Sequence, residues 1–201
     1  MTDYGNWQKY QNPNPVQRAL LGRFLRRLAA LFRPLNPTTV LDVGCGEGFV
    51  AAALQAQVVG APPRFVGLDR DVDALRRAAT MAPTLLRCQA DADALPFADD
   101  AFELGVCTEV LEHLSDPTRA LVELRRVCPS GALLSVPHEP GFRLANLMRG
   151  KHVRRWGNDP EHVNHWSAQG FRRFLEPHGR VVSLVSSFPW LLAYVRGRRA
   201  A

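Results

Sequence analysis

Short apolar runs alternate with stretches of helical periodicity along most of the 201-residue chain. Apolar runs bounded by glycine or polar residues predict strands, over 40–43, 64–68, 84–88, 103–107, 132–136, 181–186 and 191–195. Apolar positions three or four residues apart predict helices, over 16–32, 49–57, 71–80, 117–127 and 168–175. Asp116 and Ser167 are the predicted N-caps of the last two helices, because their side chains can accept hydrogen bonds from the first turn. Strands that alternate with helices predict an α/β fold around a parallel sheet.

The most informative motif is VLDVGCGEG at 40–48, in which an apolar run ends in three alternate glycines, Gly44, Gly46 and Gly48. A run of apolar residues is typical of a buried parallel strand. Glycine has no Cβ, so the backbone of the turn can approach a ligand closely. The following helix directs its N-terminal dipole and free N–H groups at the same turn. The stretch therefore predicts a strand that runs into a cofactor-binding turn.

An acidic residue follows at the position that a nucleoside site requires. Asp69 ends the second apolar run, 21 residues past Gly48. At the end of the second strand of a βαβ unit, a carboxylate can accept hydrogen bonds from both ribose hydroxyls of an adenosine. Each such charge-assisted bond contributes roughly 1.5 to 3 kcal/mol. Strand, glycine turn, helix, strand and acid together predict one nucleoside site.

Two further segments extend the pattern, DADALPFADDAF at 91–102 and CTEVLEHL at 107–114. With the glycine turn, they resemble the class I S-adenosylmethionine-dependent methyltransferases, and in particular the quinone-biosynthesis type of small-molecule methyltransferase. The glycines read G-x-G-x-G rather than the G-x-G-x-x-G of dinucleotide sites. The resemblance covers 39–136 and implies S-adenosylmethionine as cofactor. It also implies a Rossmann-like seven-stranded sheet, mostly parallel with an antiparallel C-terminal pair, and helices on both faces.

The resemblance also implies roles for individual residues of the cofactor site. It places Asp42 near the methionine amino group, and without a partner a carboxylate in an apolar strand would be costly. It places Asp91 at the adenine amino group, while Thr108 and Glu109 border the methionine part of the cofactor. The full set of predicted cofactor residues is Asp42, Gly44, Gly46, Gly48, Asp69, Asp91, Ala92, Thr108 and Glu109.

Acceptor recognition is expected in 138–166, where the sequence stops being periodic. This segment holds four of the six histidines, His138, His152, His162 and His165. A long insertion between core elements is typically a lid or a binding loop. A hydroxyl acceptor would need a base that titrates near neutral pH, which is the range of histidine. His162 and His165, three positions apart, are the predicted catalytic residues, and the alternative is that each one bonds a backbone carbonyl within the lid.

A metal site is an alternative for the same region. The pattern E-x-x-E-H at 109–113, with P-E-H-x-x-H-W-S at 160–167, resembles the metal site of the small-RNA 3′-terminal 2′-O-methyltransferases. There a divalent ion holds the two terminal ribose hydroxyls. Glu109, Glu112, His113 and His162 would then bind magnesium or manganese. Because E-V-L-E-H also occurs in small-molecule methyltransferases that bind no metal, the primary prediction is a site without metal.

Charge divides the chain into a core and two flanks. The net charge is +6, yet residues 39–140 carry 8 basic and 15 acidic side chains, and the flanking segments carry 17 basic and 4 acidic ones. The flanks are either solvated surface or contacts for an anionic acceptor or a membrane surface. No stretch resembles a membrane span or a signal peptide, which predicts a cytoplasmic protein with at most peripheral membrane contact. Four widely spaced cysteines without a C-x-x-C pair predict reduced thiols.

The predicted organisation is one domain in four segments. Residues 1–38 form a polar segment and a basic amphipathic helix, 39–136 the cofactor core, 137–166 the acceptor-side lid, and 167–201 a closing helix and strands. The leading functional hypothesis is O- or C-methylation of a small-molecule or lipid-linked acceptor. An RNA methyltransferase, favoured by the basic flanks, is the second hypothesis. A protein that binds S-adenosylmethionine without catalysis is the third.

Overall fold

The computed structural model describes residues 6–58, 60–139, 141–143 and 161–197. The strands are β1 (Thr39–Val43), β2 (Arg64–Asp69), β3 (Leu86–Gln89), β4 (Leu104–Thr108), β5 (Gly131–Pro137), β6 (Arg180–Ser187) and β7 (Trp190–Arg196). The helices are α1 (Asn6–Gln11), α2 (Pro15–Phe32), α3 (Phe49–Gln55), α4 (Val72–Met81), α5 (Pro117–Val127) and α6 (Ala168–Leu175). Every predicted strand and helix is confirmed, with its ends within two residues of the predicted ones.

The seven strands form one sheet in the order β3-β2-β1-β4-β5-β7-β6. Neighbours from β3 to β5 are parallel, whereas β7 pairs antiparallel with both β5 and β6. This arrangement confirms the predicted sheet. Strands β2 and β3 lie on one side of β1, and β4 and the later strands lie on the other side, so the strand order reverses between β1 and β4. Ligands of such sheets bind at this switch point, in the crevice beyond the carboxyl ends of the strands.

Side chains of the central strands alternate between two apolar layers. Leu104 and Val106 of β4 face a cluster that contains residues of α2, α3 and α4. Cys107 faces a second cluster that contains residues of α5 and α6. The sheet therefore has helices on both faces, as predicted, and β4 is buried along its whole length.

Polar N-caps begin the helices where the sequence predicts them. Asp116 accepts a hydrogen bond from the backbone N–H of Arg119 at 3.0 Å, and Pro117 occupies the first helical position. Ser167 accepts from the N–H of Gly170 at 3.1 Å. These bonds satisfy N–H groups that have no partner inside the helix.

The N-terminal flank contains two helices, of which the sequence pattern predicts only the second. Helix α2 buries one apolar stripe, which includes Phe24 and Leu28, in the core. Its arginines lie off this stripe, and Arg27 donates to the carbonyl of Ser186 on β6. Helix α1 has six residues, too few to show a helical period.

The structure also bears on the predicted thiols, membrane spans and lid. Three of the four free cysteines are buried and Cys88 is half-buried. Within the described ranges, no helix combines the length and the apolarity that a bilayer crossing requires. Residues 140 and 144–160, including His152, lie outside the described residues, so the predicted lid is seen only at its two ends.

Candidate active site

The glycine turn after β1 is shaped by backbone bonds and close packing. The N–H groups of Gly44 and Cys45 both donate to the carbonyl of Leu68, at 2.7 and 3.0 Å. Gly44 has a φ of +71°, and a Cβ there would lie 2.2 Å from Cγ2 of Val110. The sequence argument assigned the missing Cβ to ligand approach. At Gly44 the structure gives a different reason, because the side chain of Val110 occupies that space.

Asp69 lies at the end of β2 beside the glycine turn. Its Oδ2 accepts from the N–H of Gly46 at 2.7 Å, and its Oδ1 accepts from the N–H of Asp71 at 2.9 Å. Each carboxylate oxygen keeps further acceptor capacity for a ribose hydroxyl. The carbonyl of Asp69 accepts from Ala90 at 3.2 Å, which brings the predicted adenine residues alongside. Of these, Asp91 is exposed and Ala92 is half-buried.

A cavity opens at the carboxyl ends of β1 and β4. Its wall includes four predicted cofactor residues and four others: Asp42, Gly44, Thr108 and Glu109 with Tyr10, Cys45, Phe49 and Val50. The carboxylate of Asp42 is 1% exposed, and neither of its oxygens has a hydrogen-bond partner. Burial, and secondarily the charge of Asp69, raises the pKa of Asp42 to about 8. An orphaned carboxyl in the cavity wall fits the methionine ammonium of the cofactor.

Glu109 follows β4 in a strained backbone conformation. Its φ is +57°, which is unfavourable for a residue with a Cβ. One carboxylate oxygen accepts from Nε1–H of Trp190 at 2.9 Å, and both oxygens accept from the ammonium of Lys9. The sequence analysis missed Lys9 and Trp190. No local signal identifies them, since they are 100 and 81 residues from Glu109.

A partly buried ion pair anchors the glycine turn to α4. Glu47, within the turn, is 2% exposed, and its carboxylate lies 3.1 Å from a guanidinium nitrogen of Arg77 on α4. Removal of one partner from such a pair leaves an uncompensated buried charge. The sequence analysis did not single out Glu47, although a charged residue between two glycines of a buried turn was an available signal.

Three of the four residues of the metal alternative meet on the acceptor side. One potential ligand atom from each of Glu112, His113 and His162 lies within 4.8 Å of the others. Glu112 is 1% exposed and neither carboxylate oxygen has a hydrogen-bond partner. Burial, followed by the charge of Glu109, raises the pKa of Glu112 well above its usual value. Glu109 itself is not in this group, because its carboxylate contacts Lys9 and Trp190.

The two predicted catalytic histidines have different neighbours. His162 packs against His113 with ring centroids 5.0 Å apart, and against Phe142 at 5.1 Å. His165 places Nδ1 3.7 Å from Oε1 of Glu139. Neither histidine lines the cofactor cavity. Their roles stay predictions: His162 lies in the cluster with Glu112 and His113, and His165 lies beside Glu139.

Comparisons with known proteins agree with this geometry. Residues 41–136 match the family described as "Methyltransferase domain". The chain is 31% identical over 156 residues to 2-phytyl-1,4-naphtoquinone methyltransferase from Synechococcus elongatus, which covers 73% of this chain and 66% of that protein. It is 34% identical over 137 residues to malonyl-[acyl-carrier protein] O-methyltransferase from Halorhodospira halophila, which covers 66% of this chain and 45% of that protein. The chain thus spans about half to two thirds of the length of these curated relatives.

A solved structure shares the fold. Magnesium protoporphyrin IX methyltransferase from Synechocystis PCC 6803, solved with bound SAH, superposes with a TM-score of 0.69 at 17% identity and covers 95% of this chain and 92% of that chain. The family match and the named relatives confirm the predicted family and its cofactor. The chain belongs to the class I S-adenosylmethionine-dependent methyltransferases.

Proposed function

We propose that the protein transfers the methyl group of S-adenosylmethionine to an oxygen or carbon atom of a small-molecule or lipid-linked acceptor. The observation that carries the proposal is the short segment after β4. Thr108 and Glu109 line the cofactor cavity, and Glu112 and His113 follow directly on the acceptor side. One strand end therefore connects the methyl donor to the groups that meet the acceptor.

Different residues of the site bind different parts of the cofactor. Asp69 binds the ribose hydroxyls, Asp42 binds the methionine ammonium, and Asp91 with Ala92 borders the adenine. The bound cofactor supplies a methyl group that is already electrophilic. The protein aligns the acceptor with the carbon–sulfur bond and excludes water, and such orientation can supply up to roughly 7 to 11 kcal/mol of the barrier.

Two histidines are candidates for the base that a hydroxyl acceptor needs. His165 has a carboxylate 3.7 Å from Nδ1, that of Glu139, which would orient the ring and stabilise its protonated form. His162 is 9% exposed and lies against His113, so its access to an acceptor is through the cluster. We favour His165 as the base and His162 as its alternative.

Relatives and charge support an acceptor of this class. The relatives named above are a quinone methyltransferase and a malonyl-[acyl-carrier protein] O-methyltransferase. Arg18, Arg23 and Arg26 are exposed on α2 and offer contacts for an anionic acceptor. Because the apolar stripe of α2 is buried in the core, contact of this helix with a membrane surface would depend on its exposed arginines.

An assay with methyl-labelled S-adenosylmethionine and three acceptor pools tests the proposal. The pools are a small-molecule extract, a lipid extract and total RNA. We expect label in one of the first two. Label in RNA, together with RNA binding that weakens steeply with salt, would support the RNA methyltransferase hypothesis instead. Binding of S-adenosylhomocysteine without label in any pool would support a non-catalytic protein.

A metal-assisted version of this reaction is a second candidate, favoured by the cluster of Glu112, His113 and His162. Nδ1 of His113 lies 3.0 Å from the carbonyl of Glu161, a contact that leaves Nε2 for a metal. The segment is held in place because Val163 and Asn164 both donate their N–H groups to the carbonyl of Glu112, at 2.9 and 3.1 Å. These residues fit a divalent cation, which would hold two adjacent acceptor oxygens.

Metal analysis separates the two versions. If the metal-assisted version holds, the purified protein contains a divalent ion that Glu112→Gln removes, and a chelator abolishes activity until magnesium or manganese is restored. Asp116→Asn, an exposed carboxylate three residues past His113, is the matched control and should retain the ion. Full activity in the chelator eliminates the metal-assisted version and leaves the methyl transfer proposal intact.

A further inference from the structure

Lys9 contacts Glu109, a residue of the cofactor cavity wall, from a helix that the sequence pattern does not predict. Tyr10, its neighbour on α1, lines the cavity and stacks on Phe49 with ring centroids 4.3 Å apart. The side-chain amide of Gln17 on α2 donates to the carbonyl of Lys9 at 2.8 Å. Helix α1 is therefore fixed against both the cavity and α2, and it carries the Lys9 side chain to the cavity wall.

The ammonium of Lys9 contacts one carboxylate and two aromatic rings, those of Trp190 and, at 5.7 Å, Tyr10. It donates to both oxygens of Glu109, and its nitrogen lies 4.8 Å from the ring centroid of Trp190. An ammonium carries three N–H donors, and the contacts with Glu109 use two of them. The third donor is available for another acceptor at the cavity wall.

A cavity that binds S-adenosylmethionine must also bind the carboxylate of its methionyl group. The methionyl group of S-adenosylmethionine carries an ammonium, a sulfonium and a carboxylate. Glu109, and Asp42 once it has lost its proton, offer negative charge to the two cationic groups. The carboxylate needs donors, yet the N–H groups of Gly44 and Cys45 already bond to Leu68.

Lys9 adds a charged donor to the free backbone N–H groups at the start of α3. The N–H of Gly46 is also occupied, because it donates to Asp69 at 2.7 Å. The ion pair of Lys9 with Glu109 brings a positive charge to the cavity wall. The side chain of Lys9 is 21% exposed, so solvent screens its charge only in part.

We propose that Lys9 binds the carboxylate of the methionyl group of S-adenosylmethionine and thereby holds α1 across the cavity. This inference rests on the proposed function, since it names a further residue of the same site. Glu109 orients the ammonium, and Trp190 fixes Glu109 through a hydrogen bond of 2.9 Å. The bound cofactor then secures α1, and Tyr10 on α1 covers the cavity against water.

A cycle of two proteins and two ligands tests this role. S-adenosylmethionine and its decarboxylated analogue differ in the carboxylate, and wild type and Lys9→Ala differ in the ammonium. In isothermal titration calorimetry, we expect Lys9→Ala to weaken the binding of S-adenosylmethionine by roughly 10- to 100-fold. Binding of the decarboxylated analogue should change by less than about threefold. Lys9→Arg, which keeps the charge, should recover part of the lost affinity.

The controls separate a local contact from general electrostatics and from misfolding. Arg76→Ala removes the same charge from an exposed position on α4 and should leave both affinities unchanged. The inference is overturned if Lys9→Ala weakens both ligands alike, if it tightens S-adenosylmethionine binding, or if wild type binds both ligands equally. That last comparison needs no variant. A wild-type protein that binds neither ligand overturns the proposed function itself.

Discussion

The cofactor cavity and the acceptor side of this protein are built in different ways. The cavity takes its polar groups from the ends of β1, β2 and β4, whose positions the sheet fixes. The acceptor side takes Glu112 and His113 from a 3-10 turn, and His162 and His165 from an irregular segment after β5. Strand ends are held by many neighbours and irregular segments by few. From this difference we expect that donor binding and acceptor chemistry can be changed separately.

The largest expected effect is the loss of the base on the acceptor side. His165→Ala should slow single-turnover methyl transfer by about 100- to 10,000-fold if it accepts the proton of the acceptor, and His162→Ala should do so if it is the base. The Kd for S-adenosylhomocysteine should change by less than about threefold, because neither residue lines the cofactor cavity. Rapid-quench kinetics gives the rate and calorimetry gives the Kd.

A matched histidine serves as control for this experiment. His178 is buried beside Phe174 and lines a second cavity with Gly131, at the start of β5 and thus at the opposite edge of the sheet. His178→Gln should leave the transfer rate unchanged. If neither acceptor-side variant slows transfer, the base lies elsewhere. Parallel losses of rate and affinity would contradict the separation of the two regions.

The second effect concerns the ribose. Asp69→Ala should lower the affinity for S-adenosylhomocysteine by about 100-fold or more, because two charge-assisted bonds of roughly 1.5 to 3 kcal/mol are lost. Asp69→Asn keeps an acceptor for the N–H of Gly46 and should lose less affinity. Calorimetry measures the Kd, and a thermal melt establishes that each variant is folded. Affinity within about threefold of wild type for Asp69→Ala contradicts the ribose assignment.

The third effect depends on pH. Burial raises the pKa of Asp42 to about 8, so its carboxyl is mostly protonated at neutral pH. The cofactor ammonium binds the ionised carboxylate. As the pH is raised towards 8, affinity should therefore increase by up to about tenfold per pH unit, and above pH 8 it should level off. Calorimetry in buffers of different ionisation enthalpy should detect the released proton. Asp42→Asn should flatten the profile, and a flat wild-type profile contradicts the assignment.

The smallest effect concerns the free energy of unfolding, to which the contacts of Arg126 with the segment after β3 contribute. Arg126 on α5 bonds to Glu123 and Asp99 at 2.7 and 2.8 Å, and to the carbonyls of Leu95 and Phe97. Its side chain is 30% exposed. Arg126→Ala should therefore lower the free energy of unfolding by about 1 to 2 kcal/mol in urea denaturation.

An exposed ion pair on the cofactor side provides the comparison for Arg126. Arg76 and Asp73 are 75% and 61% exposed. Arg76→Ala should change the free energy of unfolding by no more than about 0.5 kcal/mol. Equal effects of the two substitutions would show that the Arg126 network does not stabilise the segment that follows β3.

Local signals in the sequence were sufficient for the elements and for part of the cavity. Asp116 and Ser167 mark helix starts because an N-cap acts within three residues of itself. The resemblance implied Asp42, Thr108 and Glu109, and they meet Gly44 in one cavity because the carboxyl ends of parallel strands lie at one edge of the sheet.

Long-range contacts and side-chain direction were not predictable in this way. Lys9 and Trp190 reach Glu109 from distant elements, and no periodic pattern reveals where a six-residue helix docks. The sequence also grouped Glu109 with Glu112 as alternative metal ligands. The left-handed backbone of Glu109 is a property of the folded turn, and its carboxylate contacts Lys9 instead.

Strand β4 sets a limit for anyone who wishes to retarget this methyltransferase to a new acceptor. It is paired in parallel on both edges, with β1 and with β5, and all five of its residues are buried. A slip of one residue would turn every side chain to the opposite face. Insertions or redesign are therefore best confined to irregular segments outside the sheet, such as 161–165, so that the donor site is inherited unchanged.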